Sequence, residues 1–117
     1  MGRVMLNPKQ FYHVTPAFNR EGIMAGGLDP HATPNEWPNG PKKQGRVYLA
    51  PSEQDAQEWA KHIELTYGET TPMSLLKINA SGLRTRKRKT DIGLHEITVG
   101  EHIDPSRITH VKDFKTQ

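Results

Sequence analysis

The sequence predicts an α+β fold. Three observations point there. About five short stretches read as strands, two stretches carry helical spacing, and the helices come early while most strands come late. That order differs from the regular strand–helix alternation of a doubly wound parallel sheet. The clearest unit runs from Arg46 to Ile63. Val47 and Leu49 alternate with Arg46, Tyr48 and Ala50, which gives a strand with one apolar face and leaves Tyr48 on the other. Pro51 ends the strand because it cannot donate to a ladder. Ser52 is an N-cap candidate, with Asp55 three residues on, and Ala56, Trp59, Ala60 and Ile63 then fall on one helical face.

The other elements follow in chain order. Phe11–Thr15 is a strand candidate with His13 and Thr15 on one face, Tyr12 and Val14 on the other. Thr15-Pro16 has the form of a helix start, with threonine as N-cap and proline at the first helical position. That helix is expected to reach about Ala25 and to stop at Gly26-Gly27. Asp29 to Gly45 holds Pro30, Pro34, Pro38, Pro41 and Asn39-Gly40 and no apolar period, so it is expected to be a loop, with Trp37 as a possible lid anchor. Thr66–Pro72 reads as a turn and Met73–Asn79 as a buried strand through Leu75, Leu76 and Ile78. Ala80–Asp91 reads as a loop carrying Arg84, Arg86, Lys87, Arg88 and Lys89. Leu94–Val99 is a strand with Ile97 and Val99 on one face and Glu96 and Thr98 on the other. Ile103–Ile108 is a turn, and Ile108–Phe114 the final strand.

Composition sets bounds. A chain of 117 residues is one small domain, 1–117, and with 33% hydrophobic residues its core must be modest. There is no cysteine, which excludes disulfides and thiolate metal sites and suits a cytoplasmic location. No stretch is long and apolar enough to span a membrane, and no signal-peptide pattern is present, so no membrane partner is expected. A net charge of +3 favours an anionic partner without naming one. The six histidines show no ligand spacing, so no metal is expected.

Three strands share a feature: each sets an isolated polar or aromatic residue opposite an apolar face, namely His13 with Thr15, Tyr48, and Glu96. The residues alone leave this open between a cleft and three ordinary surface positions. Glu96 also has rivals in Glu101, Glu53, Glu58 and Asp91. The basic run from Arg84 to Lys89 is equally open between a solvated segment and a phosphate contact.

In their order and spacing, the motifs resemble the ADP-ribosyltransferase superfamily, in the His-Tyr-Glu branch that includes poly(ADP-ribose) polymerases and diphtheria-type toxins. Those motifs are Tyr12-His13-Val14-Thr15, Ile23 through Gly27-Leu28-Asp29-Pro30, Val47-Tyr48-Leu49-Ala50, the helix from Ala56 to Ala60, His95-Glu96-Ile97-Thr98-Val99, and Ile103 through Pro105 to Ile108. The resemblance covers about Phe11 to Phe114. It implies a compact split β-sheet with two main helices, and transfer of ADP-ribose from NAD, as co-substrate, to a protein or nucleic-acid acceptor with release of nicotinamide. It further implies that His13 meets a ribose hydroxyl, that Thr15 and the Val14 backbone hold the nicotinamide amide, and that Tyr48 stacks on the ring with Trp59 as a second aromatic. Glu96 then binds the 2′-hydroxyl of the nicotinamide ribose and is catalytic with His13 and Tyr48. Arg84, Arg86, Lys87 and Arg88 are expected to face the acceptor, and the protein to act as a monomer. Breaking the ribose–nicotinamide bond builds positive charge on the sugar, as in glycoside hydrolysis. Nicotinamide leaves neutral, so one fixed carboxylate suffices where glycosidases need two. An RNA 2′-phosphotransferase, which relies on arginines where this chain has Tyr48 and Glu96, is the alternative. A silent NAD- or nucleic-acid-binding module is another.

Overall fold

The computed structural model describes residues 9–31, 45–67, 71–90 and 93–115. The expected loop at 29–45 therefore lies mostly outside the described residues, and Trp37 and Asp91 lie there too. The fold is α+β, with two helices and two three-stranded antiparallel sheets. The first sheet has the order β1 (Gln10–Pro16), β3 (Met73–Asn79), β6 (Ile108–Phe114), and the second β2 (Val47–Leu49), β5 (His95–Val99), β4 (Thr85–Lys89).

β3 is central and buried on both faces, which explains its nearly continuous apolar run: Met73, Leu75, Leu76 and Ile78 are each fully buried. One face of β3, through Leu76 and Ile78, meets Val47, Leu49, Ile97 and Val99 of the second sheet. Phe11, Ile23 and Met24 pack against this inter-sheet core. On the other face, Met73 and Leu75 join Val14 and are covered by α2 (Glu53–Tyr67). Ala56 and Ala60 are both 0% exposed, and their small side chains let the helix close on the strands. The Ser52 cap forms as expected. Asp55 N donates to Ser52 Oγ at 3.1 Å, and Ser52 Oγ donates to Asp55 Oδ2 at 3.0 Å.

Two sequence expectations are corrected. Thr15 caps no helix. β1 continues through Pro16, and Ala17 N still reaches Pro72 O at 2.9 Å, which prolongs the pairing with β3. A single 3₁₀ turn, Ala17–Asn19, follows, and α1 spans Arg20–Gly26. The segment Ala80–Asp91, expected as a loop, contains β4. Its five residues pair with β5 from Thr85–Val99 to Lys89–His95. Four of them are exposed cations, so no apolar period marks the strand, and its edge position makes those charges useful against further strand pairing. The described residues thus contain six strands where about five were expected.

Gly27 ends α1 and turns the chain into a Leu28–Ile103 bridge. Its φ of 88° with ψ of −172° is glycine-only backbone. A Cβ there would stand 2.2 Å from Ile103 O. Gly27→Ala is therefore expected to destabilise by about 2–3 kcal/mol, from backbone strain and loss of the bridge. Gly26→Ala, where a Cβ meets nothing within 4 Å, serves as the control. Equal urea midpoints for the two variants would refute the assignment.

A polar cluster fixes the outer edge of the first sheet. Ser74 Oγ donates to Asp113 Oδ1 at 2.5 Å, Arg20 pairs with Asp113 Oδ2, and His110 Nε2 lies 2.8 Å from Oδ1. The Ser74 hydroxyl first, then the Arg20 guanidinium, hold the Asp113 carboxyl well below the usual carboxylate range. A depressed folded-state pKa means a contribution that is whole above the unfolded value of about 3.9 and lost as pH falls below it. Asp113→Asn should therefore lower the melting temperature at neutral pH, and the gap from wild type should shrink progressively below about pH 4. A gap constant with pH would rule out the ionised carboxylate as its source.

Candidate functional site

The sheets meet edge to edge at one isolated bridge. Tyr12 N donates to Ala50 O at 2.9 Å and Ala50 N donates to Tyr12 O at 2.7 Å. His13 and Val14 follow this bridge on β1, Tyr48 lies just before it on β2, and Glu96 sits on β5 one step beyond the Leu49–Ile97 pair. The strand pairings therefore bring three backbone positions from separate parts of the chain near one joint, with the His13 side chain on the Val47/Leu49 side and those of Tyr48 and Glu96 on the other.

His13 is half-buried, and its Nδ1 lies 3.0 Å from Tyr48 O. A carbonyl only accepts, so Nδ1 carries the proton and Nε2 is left as an acceptor. Burial lowers the His13 pKa, against the smaller opposing effect of this hydrogen bond, and favours the neutral ring. Val14 is distinctive for its backbone. Tyr12 turns its amide and carbonyl to Ala50, whereas Ala17 turns its amide to Pro72. By the alternation of an antiparallel pair, Val14, like Tyr12, directs its N–H and C=O away from β3 toward the open edge of β1. Among the described residues no backbone group takes them. Thr15 differs. It is 3% exposed, and its Oγ1 accepts from Asn19 Nδ2 at 3.2 Å.

Tyr48 opposes Thr98, so it shares a sheet face with Thr98 and Glu96, away from the Val47/Leu49 core face. Burial raises the phenol pKa, the Glu96 charge adds to that, and Arg88 and Arg46 partly oppose it, so the hydroxyl stays protonated. Glu96 is 4% exposed. Its Oε2 takes both Nε–H and Nη2–H of Arg88, at 2.9 and 2.8 Å. Both bonds fall on one oxygen, and among the described residues Oε1 has no side-chain partner. The His13 ring shares its strand face with Phe11, on the inter-sheet side. The imidazole thus meets Tyr48 only at its carbonyl, on the inter-sheet side, while the Tyr48 ring and the Glu96 carboxylate share the other face.

Trp59, on α2, packs against the cluster that holds Val14, Ala50 and Met73, and its Nε1 donates to His95 O at 3.3 Å, tying the helix to the residue before Glu96. Arg86 and Arg88 oppose Thr98 and Glu96 and join the Tyr48 face, while Lys87 and Lys89 lie on the opposite face. Arg84 is exposed just before β4. The sequence reading missed Arg46, which donates from Nε to Thr98 Oγ1 at 2.7 Å and from Nη2 to Thr98 O at 3.2 Å. The signal was there in the alternation that puts Arg46 and Tyr48 on one face, but their strand partner was not legible.

The Ser74–Asp113–His110 cluster is no nucleophilic triad, because Ser74 is fully buried and gives its proton to the carboxylate, not to the imidazole. Among the described residues, no group of three or more His, Asp or Glu side chains is placed to hold a metal ion. Likewise, no helix among them is long and apolar enough to cross a membrane. No protein-family model matches the chain, and no curated protein matches it.

Proposed function

We propose that the protein is an NAD-dependent ADP-ribosyltransferase. It would move ADP-ribose from NAD to a macromolecular acceptor and release nicotinamide, on a split-sheet fold of the ADP-ribosyltransferase kind. The observation that carries the reading is the joint between the sheets. A neutral His13 held by the Tyr48 carbonyl, the open Val14 edge, the Tyr48 ring and the Glu96 carboxylate all adjoin the Tyr12–Ala50 bridge.

The residues fit such a donor in kind. Val14 offers one N–H and one C=O from a single strand edge, the complement of a primary carboxamide. Thr15 is buried and its Oγ1 accepts from Asn19, so it would add to the Val14 contact only through its own O–H. His13 Nε2 accepts from a ribose hydroxyl, and Tyr48 presents a protonated, half-buried ring for stacking. NAD supplies a ribosyl carbon whose leaving group departs as a neutral base. Glu96 meets the positive charge that develops on the sugar, with Oε1 open to a hydroxyl while Arg88 holds Oε2. The same carboxylate then takes the acceptor's proton.

Incubating the purified protein with NAD and assaying free nicotinamide tests the proposal directly. Turnover above a protein-free blank is expected. Its absence, with and without nucleic-acid and protein acceptors, would leave a binding module.

A further inference from the structure

The densest charge on the described surface lies along β4, and it borders an open groove of about 650 Å³ lined by Arg46, Gly82, Arg84, Arg86, Gly100 and Glu101. Arg46 is fixed in place by its two hydrogen bonds to Thr98. Its Nη1 lies where a Cβ on residue 100 would stand 2.7 Å away, so Gly100 leaves the guanidinium room against the backbone. Arg84 and Arg86 are exposed, and among the described residues neither pairs with a carboxylate. Successive guanidiniums at 84, 86 and 88 lie two residues apart along an extended edge, about 6.8 Å per step. That step is comparable to the distance between successive phosphates of an extended nucleic-acid strand. Arg86, Arg88 and the half-buried Tyr48 share one face of the second sheet, with Thr98 and Glu96 of β5 between the ring and the cations. A backbone-tracking basic groove with an aromatic platform is the physical pattern of single-strand recognition. An acidic peptide would use the charges but leave the ring without a stacking partner. Glu101 opposes any anion, as one carboxylate against three guanidiniums lining the groove.

We infer that this groove binds the phosphate backbone of a single-stranded nucleic acid running along β4, with a base directed toward Tyr48. Binding there needs no NAD, so it stands or falls separately from the transferase reading. If both hold, NAD displaces the base from Tyr48 and the strand, kept on the arginines, is the acceptor.

The test is fluorescence anisotropy of the full chain, without NAD, on labelled single strands of about 12 nucleotides. The double variant Arg84→Ala/Arg86→Ala is expected to weaken binding by about tenfold or more. It should also reduce the slope of log affinity against log salt by about 1.4, two contacts at ~0.7 each. Glu101→Gln is expected to tighten binding by about two- to fivefold. Melting temperatures within about 2 °C of wild type would confirm that these exposed substitutions leave the fold intact. Unchanged affinity and slope in the double variant would overturn the inference. So would a duplex or polyglutamate of equal length binding as tightly as the single strand.

Discussion

Glu96→Gln is expected to slow nicotinamide release by about 10²–10³-fold, the usual effect of removing one preorganised electrostatic group from a transition state. Glutamine keeps the shape of the side chain, and its amide oxygen still accepts from Arg88, whose two N–H groups now converge on Oε2. What is lost is the negative charge proposed to face the sugar. The effect should therefore fall on turnover, with NAD affinity changed far less, because the charge matters most when the bond is breaking. Thermal melting should stay close to wild type. Arg88→Ala separates charge from position, because it leaves a carboxylate only 4% exposed without its cation. That variant should lose stability by about 1–3 kcal/mol, whereas Glu96→Gln should not. A Glu96→Gln rate within about threefold of wild type would move the chemistry away from this carboxylate.

The second large effect is on stability. Leu76→Ala is expected to cost about 3–5 kcal/mol, the transfer loss plus the cavity term for a fully buried leucine. Leu76 is 0% exposed, lies in the middle strand of the first sheet opposite His13, and packs into the core between the sheets. Neither sheet can relax into the gap without disturbing the other. Against a total stability of about 5–15 kcal/mol the variant is left near its folding limit. At an m-value of about 2 kcal/mol/M its urea midpoint should fall by roughly 2 M. Val111, 41% exposed on β6, where the register with β3 shifts, is the contrast. Val111→Ala should change stability by less than about 0.5 kcal/mol. A Leu76→Ala loss below about 1.5 kcal/mol would mean that the core closes over the gap.

Local signals made much of the fold legible. The strand–helix unit from Val47 through α2 announced itself by alternation, Pro51 and the Ser52 cap, and each forms as read. β3 and β5 were visible from their apolar residues. β4 was hidden because Thr-Arg-Lys-Arg-Lys has no apolar face, and its strand character comes from pairing with β5. Thr15-Pro16 misled because helix-start chemistry is local while the bond from Ala17 N to Pro72 O is not. The same limit governs the site. His13, Tyr48 and Glu96 could each be picked out as polar or aromatic exceptions on a strand. Which strands adjoin could not, because β1 meets β2, and β2 meets β5, through pairings between distant residues.

The seam at Tyr12 and Ala50 has a mechanical meaning. With two main-chain bonds stitching the halves together there, the angle between them is governed by the wedge of side chains, Leu76 and Ile97 among them, and not by a continuous ladder. Filling that wedge tightly makes the jaw stiff, and trimming it makes the jaw slack. The spacing between the imidazole on one half and the carboxylate on the other is therefore tuned from the interior.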